Sequence, residues 1–237
     1  MKLCKLKPCD YAVIIGEKYK KALEPGLERL GAFVLWLPDN PLVDPRLSGH
    51  ADLSAVLVPG RGLVLAPYLK ETEFPHAVDK LGFDYSFANI EQGMKYPQDA
   101  YLNVCCVGEY MIANPKTAYN AILGKKTIAV KQGYSRCSVC VVSDDAVITA
   151  DRGIAEAVKD KLDVLLVSPG YVSLAGFECG FLGGAAFKSD GKLCFSGRPD
   201  AHPDKDRIIA FLAKHHVSPV YLTDGALFDF GGAVVLS

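Results

Sequence analysis

Ala88-Asn-Ile-Glu-Gln-Gly93, Ile128-Ala-Val-Lys-Gln-Gly133, Leu165-Leu-Val-Ser-Pro-Gly170 and Val220-Tyr-Leu-Thr-Asp-Gly225 are four apolar runs that stop on one kind of punctuation. A fifth, Val34-Leu-Trp-Leu-Pro-Asp-Asn40, ends on Asn where the others have Gly. Each reads as a strand halted by a residue that tolerates positive φ. The four glycines are spaced by 40, 37 and 55 residues. That period is the signature of a repeated supersecondary unit, with an insertion in the longest copy.

The interiors of the units agree. Between Gly93 and Gly133 the pattern predicts a strand over Ala100 to Val107, a turn at Gly108-Glu109, a return strand over Tyr110 to Ala113, and a helix over Lys116 to Leu123. Asn114-Pro115 stands at the helix entry, where Asn caps and Pro is pre-organised. The next unit reads as Ser138 to Val142, the turn Ser143-Asp144-Asp145, Val147 to Ala150, and a helix capped by Asp151. Ile154, Ala157, Val158 and Leu162 recur there at helical spacing. After Gly170 come about ten extra residues, then the strand Phe181 to Phe187, the turn Ser189-Asp190-Gly191, Leu193 to Phe195, and a helix opened by Pro203. The unit near Asp52 reads as Leu53 to Pro59, Gly60-Arg61-Gly62 and Leu63 to Ala66, with Pro67 where the others carry Pro115 and Pro203.

The two ends of the sequence are complementary. Phe228 to Leu236 supplies one strand; Tyr11 to Ile15, a Lys/Glu-rich helix over Glu17 to Leu30, and Phe33 to Leu37 supply the rest. Joined, they make a fifth module. The fold expected is α/β: five strand-turn-strand-helix-strand modules closed into a ring by their own terminal segments. The modules cover about 50–93, 94–133, 134–170 and 171–225, with 226–237 joined to 1–40, and all of 1–237 is one domain. The alternative is an open α/β sheet whose units look alike because all βαβ units do.

Composition narrows the function classes. Lys and Arg number 26 against 27 Asp and Glu, and no basic block stands out, so nucleic acid is not an expected partner. The apolar run Tyr11 to Ile15 is too short for a membrane span and lacks the pattern of a signal peptide, so a cytoplasmic protein with no membrane partner is expected. Eight cysteines in an apolar chain without an export signal are expected as reduced thiols. No GxGxxG set follows the first strand, and no cofactor is expected. No feature of the pattern specifies an oligomer.

Gly180-Phe-Leu-Gly-Gly184, Phe195-Ser-Gly197, His202-Pro-Asp204 and Phe228-Asp-Phe-Gly-Gly232, set in this modular order, resemble the pentein superfamily, and within it an uncharacterised bacterial branch. The resemblance spans essentially the whole chain. It implies a five-bladed αβ-propeller of ββαβ modules. Guanidine- and amidine-modifying enzymes use that fold, and so does a non-enzymatic ribosome anti-association factor.

Such a ring gathers the starts of its innermost strands around one axis. The matched starts carry Asp52, Asp99, Cys137, Cys179 to Gly183, and Asp229 to Gly232. Carboxylates converging there suit a small cationic or amide-bearing ligand rather than a phosphate. The candidate ligand-binding residues are Asp52, Asp99, Asp229, Glu178, Gly180, Gly183 and Gly184; each aspartate serves equally as a cap for turn backbone. Cys179, in the Gly-rich loop Gly176-Phe-Glu-Cys-Gly180, is the candidate nucleophile, with His202 as its base; a core thiol and a helix-start cap are their plainer roles. Cys137 and Cys140 form a lone CxxC in a strand-like run and face opposite ways, so no metal is expected there. His50 has no evident polar setting. The resembled enzymes carry their nucleophilic cysteine in the final module, and this chain has none after Cys194. Three readings stay open: a binder of a small polar ligand, a cysteine-dependent guanidino- or amidino-group hydrolase or transferase, and a factor that binds a protein or ribosomal surface.

Overall fold

The computed structural model describes residues 12–236. The expectations for Cys4, Cys9 and Tyr11 fall outside them. In chain order the elements are β1 (Ala12–Gly16), α1 (Lys20–Leu30), β2 (Phe33–Leu37), β3 (Ala55–Val58), β4 (Gly62–Leu65), α2 (Phe74–Lys80), β5 (Tyr85–Phe87), β6 (Cys105–Val107), β7 (Tyr110–Ala113) and β8 (Thr127–Ala129). There follow α3 (Ser135–Ser138), β9 (Val139–Val141), β10 (Ala146–Thr149), α4 (Arg152–Val158), β11 (Asp163–Leu166), β12 (Ala186–Ser189), β13 (Lys192–Phe195), α5 (Lys205–Lys214), β14 (Ser218–Tyr221) and β15 (Val234–Leu236).

The strands form five three-stranded sheets: β15-β1-β2, β3-β4-β5, β6-β7-β8, β9-β10-β11 and β12-β13-β14. In each, the first strand runs antiparallel to the second and the second parallel to the third. That order follows from the connections, since a tight turn reverses the chain and a longer crossover restores its direction. The β12–β13 turn holds Asp190 and Gly191 at φ 43° and 67°, the twist a two-residue hairpin prefers. The terminal strands pair as the ring requires: Ala12 faces Leu236 and Ile14 faces Val234.

The middle strands explain the continuous apolar runs. Val13 and Ile15 of β1 pack with Phe187, Cys194, Leu23 and Leu27, while Ile14 packs with Ala55, Leu63 and Leu65. In β10, Val147 joins Cys105 and Ile112, whereas Ile148 joins Leu193 and Phe195. β4 and β7 meet through Val64 and Met111. Alternate residues of a strand point to opposite faces, so each middle strand feeds two cores. Five such cores link the five sheets in a cycle. Residues of all five inner strands (β15, β3, β6, β9 and β12) line one axial cavity of about 890 Å³, entered from the hairpin end. Arg136 also lines it, and its guanidinium donates to the carbonyls of Gly183 at 3.1 Å and Ala233 at 3.2 Å.

Several local expectations are corrected. No helix covers Lys116 to Leu123; only a 3-10 turn forms at Asn120–Ile122. Asn114 bonds to the Lys116 and Ala118 amides and to the Lys131 carbonyl, and the Tyr119 amide then donates to the Tyr101 carbonyl, which diverts the chain from helix. Of the four punctuating glycines only Gly170 has positive φ, at 93°. Gly93 and Gly133 are sites of close approach instead: a Cβ would lie 2.3 Å from Gln98 Oε1 and 2.4 Å from the Tyr96 ring. The inner strands are shorter than their apolar runs. The residues ahead of them bend into turns, and those turns build the site.

Candidate functional site

The turns before the inner strands come together at the opposite end of the axis from the hairpins. His50 precedes a 3-10 turn at Ala51–Leu53 that carries Asp52 into β3. Asn103 sits just before β6, its backbone amide bonded to the Ala100 carbonyl. Cys137 occupies α3, the single turn before β9. Gly183 and Gly184 precede β12, and Asp229 opens the approach to β15. All five modules contribute.

Hydrogen bonds lock the group. Cys137 Sγ lies 2.7 Å from Asp52 Oδ2, a thiol donating to a carboxylate. Asn103 donates to the same sulfur at 3.2 Å, and its carbonyl accepts the Arg136 amide at 2.8 Å. Asp229 accepts the Phe181 amide at 2.8 Å on one oxygen and the Gly231 amide at 2.9 Å on the other. His50 Nδ1 is 3.9 Å from Asp229 Oδ1. The glycines are dictated by this packing. A Cβ on Gly184 would fall 2.1 Å from Asp229 Oδ1, and one on Gly183 would meet the Val139 carbonyl at 2.4 Å. The Gly184 amide donates to the Cys137 carbonyl, and its own carbonyl accepts from Phe230 and Gly232.

The cluster is out of water: His50, Asp52 and Asp229 are 2% exposed and Cys137 is 3%. Burial raises the Asp52 carboxyl above its usual range, against the pull of His50, Cys137 and Arg136. Burial, with Asp52 and Asp229 facing it, holds the Cys137 thiol well above its ordinary value. Two buried atoms of these four side chains have no hydrogen-bond partner, His50 Nε2 and Asp52 Oδ1; elsewhere among the described residues Asp99 Oδ1, Ser138 Oγ and Ser189 Oγ share that condition. Neighbouring loops pack against this end. Val43 and Leu47 cluster with Leu53, Tyr134 and Leu174, and the Arg46 guanidinium lies 4.2 Å from the centre of the Phe177 ring while donating to the Gly176 carbonyl at 2.7 Å.

Of the residues singled out from sequence, Asp52, Asp229, Gly180, Gly183 and Gly184 meet here; a Cβ on Gly180 would lie 2.5 Å from Asp229 Cβ. Asp99 stands apart, accepting from the Tyr134 hydroxyl at 2.7 Å. Glu178 is exposed in its loop. Cys179 is half-buried and lines a cavity of about 170 Å³ with Ser168, Tyr171 and Phe181. His202 is buried; its Nδ1 accepts the Asp204 amide at 3.0 Å and its ring lies 5.1 Å from that of Tyr171. Burial lowers its pKa. Sequence reasoning set aside His50 and passed over Asn103 and Arg136. The signal for the first was the alternation His50-Ala-Asp52 immediately ahead of an inner strand.

Comparison with known proteins bears on the fold. A structure of a dimethylarginine dimethylaminohydrolase adduct with 4-chloro-2-hydroxymethylpyridine is similar over 95% of this chain and 99% of that one, with TM-score 0.54 and 10% identity. DDAH from Pseudomonas aeruginosa, as a cysteine-to-serine mutant complexed with citrulline, gives TM-score 0.50 at 10% identity over 88% and 86% of the two chains. ArgZ, an arginine dihydrolase of cyanobacteria, gives TM-score 0.55 at 13% identity over 92% of this chain and 38% of its own. At such identities the likeness is one of fold. No curated protein matches the sequence. A family model described as a family of unknown function, DUF6873, matches residues 14–234. Among the described residues no helix is long and apolar enough to cross a membrane.

Proposed function

The chain belongs to the DUF6873 family, and from that premise we propose that it binds a small polar ligand bearing a guanidinium, amidinium or amide group at the strand-start end of the ring. The observation that carries this reading is the pair of buried carboxylates, Asp52 and Asp229, held by separate modules with Asp52 Oδ1 left unpartnered. A buried acceptor without a donor is costly, and a planar N–H-bearing cation satisfies it while offsetting the charge. The Gly180 and Gly184 backbone lets Asp229 approach closely, which fixes the second carboxylate of the pair. The surrounding loops must part to admit the ligand.

Calorimetric titration with small guanidinium and amidinium salts, and a neutral amide of equal size, tests the reading. Saturable binding is expected with Kd below ~1 mM, about −4 kcal/mol. Asp52→Asn and Asp229→Asn should each weaken it at least ~10-fold, about 1.4 kcal/mol. Absence of saturable binding to every compound, or unchanged affinity in both variants, overturns it.

A second reading, cysteine-dependent C–N bond chemistry, is favoured by the 2.7 Å contact of Cys137 with Asp52. Cys137 is preferred to Cys179 as the thiol because Cys179 lies in the separate cavity beside Tyr171. A bound guanidinium would offset the two carboxylates that hold the thiol proton. That proton would pass to Asp52, sulfur would bond to the guanidinium carbon, and the amine would leave as the proton is returned to it. Water would then release the product and regenerate the thiol. In this reading Cys137→Ser keeps binding and loses turnover; loss in Cys179→Ser alone would assign the chemistry to the Cys179 and His202 pair instead.

A further inference from the structure

We propose that His50, Asp52 and Cys137 bind one divalent zinc ion. The imidazole, carboxylate and thiol donor atoms of these three residues lie within 4.8 Å of one another, and all three side chains are buried. Nitrogen, oxygen and sulfur together are a borderline-soft donor set, which suits zinc and disfavours calcium and magnesium, whose ligands are oxygens. Three protein ligands leave a fourth tetrahedral position open, the arrangement of reactive rather than purely structural zinc.

Two independent observations point to a missing partner at this spot. His50 Nε2 and Asp52 Oδ1 are the unpartnered polar atoms of the cluster. Each leaves a lone pair buried without a donor or cation, or a buried N–H without an acceptor, and both groups belong to the donor set. One cation satisfies both. A supporting layer is also in place. Asp229 Oδ1 faces the other ring nitrogen of His50 at 3.9 Å, and Asp229 is itself fixed by the Phe181 and Gly231 amides. At 3.9 Å Asp229 and His50 are not hydrogen-bonded, and the carboxylate stands in the place from which an outer partner would orient a ligating histidine. Asn103 Nδ2 donates to the Cys137 sulfur at 3.2 Å, as donors to metal thiolates do.

Loading the ion exchanges charges in balance. The Cys137 thiol gives its proton to solvent, its sulfur bonds to the ion, and the thiol hydrogen bond to Asp52 is replaced by a shared cation. The 2.7 Å contact then widens, because two donors on one zinc stand at about 2.0–2.3 Å from the metal in different directions. The sequence pattern hid the site by pointing to Cys140. That residue packs with Val142 and Leu193 instead, and the partners of Cys137 come from other modules: Asn103 from the one before it, His50 and Asp52 from the one before that.

This inference uses the same cluster as the proposed ligand site, but its test needs no organic ligand. A loaded ion would favour an amide-bearing ligand at the open position, and an ion-free cluster a cationic one. Protein stripped with a chelator is titrated with zinc and, separately, with cobalt(II), followed by elemental analysis and absorption spectroscopy. About one ion per chain is expected, with a thiolate-to-cobalt charge-transfer band and the visible bands of a tetrahedral ion. Cys137→Ser should remove the charge-transfer band while circular dichroism stays unchanged. His50→Gln should weaken zinc by more than the roughly 10–100-fold that loss of an outer partner costs. Asn103→Ala should fall within that outer-partner range. Failure of wild-type protein to retain stoichiometric zinc overturns the site. So does retention with the same spectrum in both the Cys137→Ser and His50→Gln variants. Either result leaves the guanidinium titration of metal-free protein unaffected.

Discussion

At the scale of single residues, Cys137 and Cys179 are the informative contrast. Both precede inner strands, but their surroundings are opposite. Cys137 is buried against two carboxylates that disfavour its thiolate; Cys179 is half-exposed in a surface cavity. Cys105, Cys140 and Cys194 are buried as well, each pushed up to about 12 by desolvation. Since only the thiolate reacts, brief alkylation of the native, ligand-free protein at pH 8 should, among the described cysteines, modify Cys179 first and spare Cys137 until the protein is denatured. Peptide mass analysis reads the order, and equal early labelling of both would contradict the buried geometry. Asp52 and Asp229 were legible in the sequence because an acid at the head of an apolar strand needs a reason. His50 was not. Its one local sign is its place two residues before Asp52, and its approach to Asp229, at the other end of the chain, is announced by no sequence pattern.

Among the elements, hairpins and crossovers were read from turn chemistry that acts within a few residues. Asp151 is the clearest case: its carboxylate accepts the Ile154 amide at 2.9 Å, as an N-cap does. Asp151→Ala should lower unfolding free energy by about 1 kcal/mol, measured by urea denaturation, with the slope unchanged. A loss within error would mean that the cap is replaced by water. The expected helix after Asn114 failed because a tertiary bond, from the Tyr119 amide to Tyr101, outcompeted a local preference. The inner strands came out short for a related reason. Asn103 and Gly183 have the apolar neighbours of a strand, yet the Asn103 amide closes a turn on Ala100 while its side chain bonds Arg136 and Cys137 of the next module, and the Gly183 carbonyl accepts from Arg136. A sequence period reports apolarity, and it is silent on which backbone groups are spoken for elsewhere.

For the molecule as a whole, the ring was legible because five copies of one pattern average out the errors in any copy, and because the terminal segments complete each other. The site's location at the strand starts followed from that symmetry; its membership did not, since symmetry fixes positions and leaves chemistry free. The β1–β15 pairing should be indispensable. Removal of residues 233–236 leaves β1 with an unpaired edge and strips Val234 and Leu236 from the core shared with Ala55 and Leu65. Loss of the cooperative thermal transition is expected, read by calorimetry, and a shortened chain that melts like the parent would refute the closure. The cyclic arrangement of cores carries a further consequence for how the fold fails. A linear stack of repeats has two outermost units with one neighbour each, and it frays from them. Here every sheet rests on two others, so there is no outermost unit. Wherever local opening begins it must break two interfaces at once, and partial unfolding has no cheap place to start.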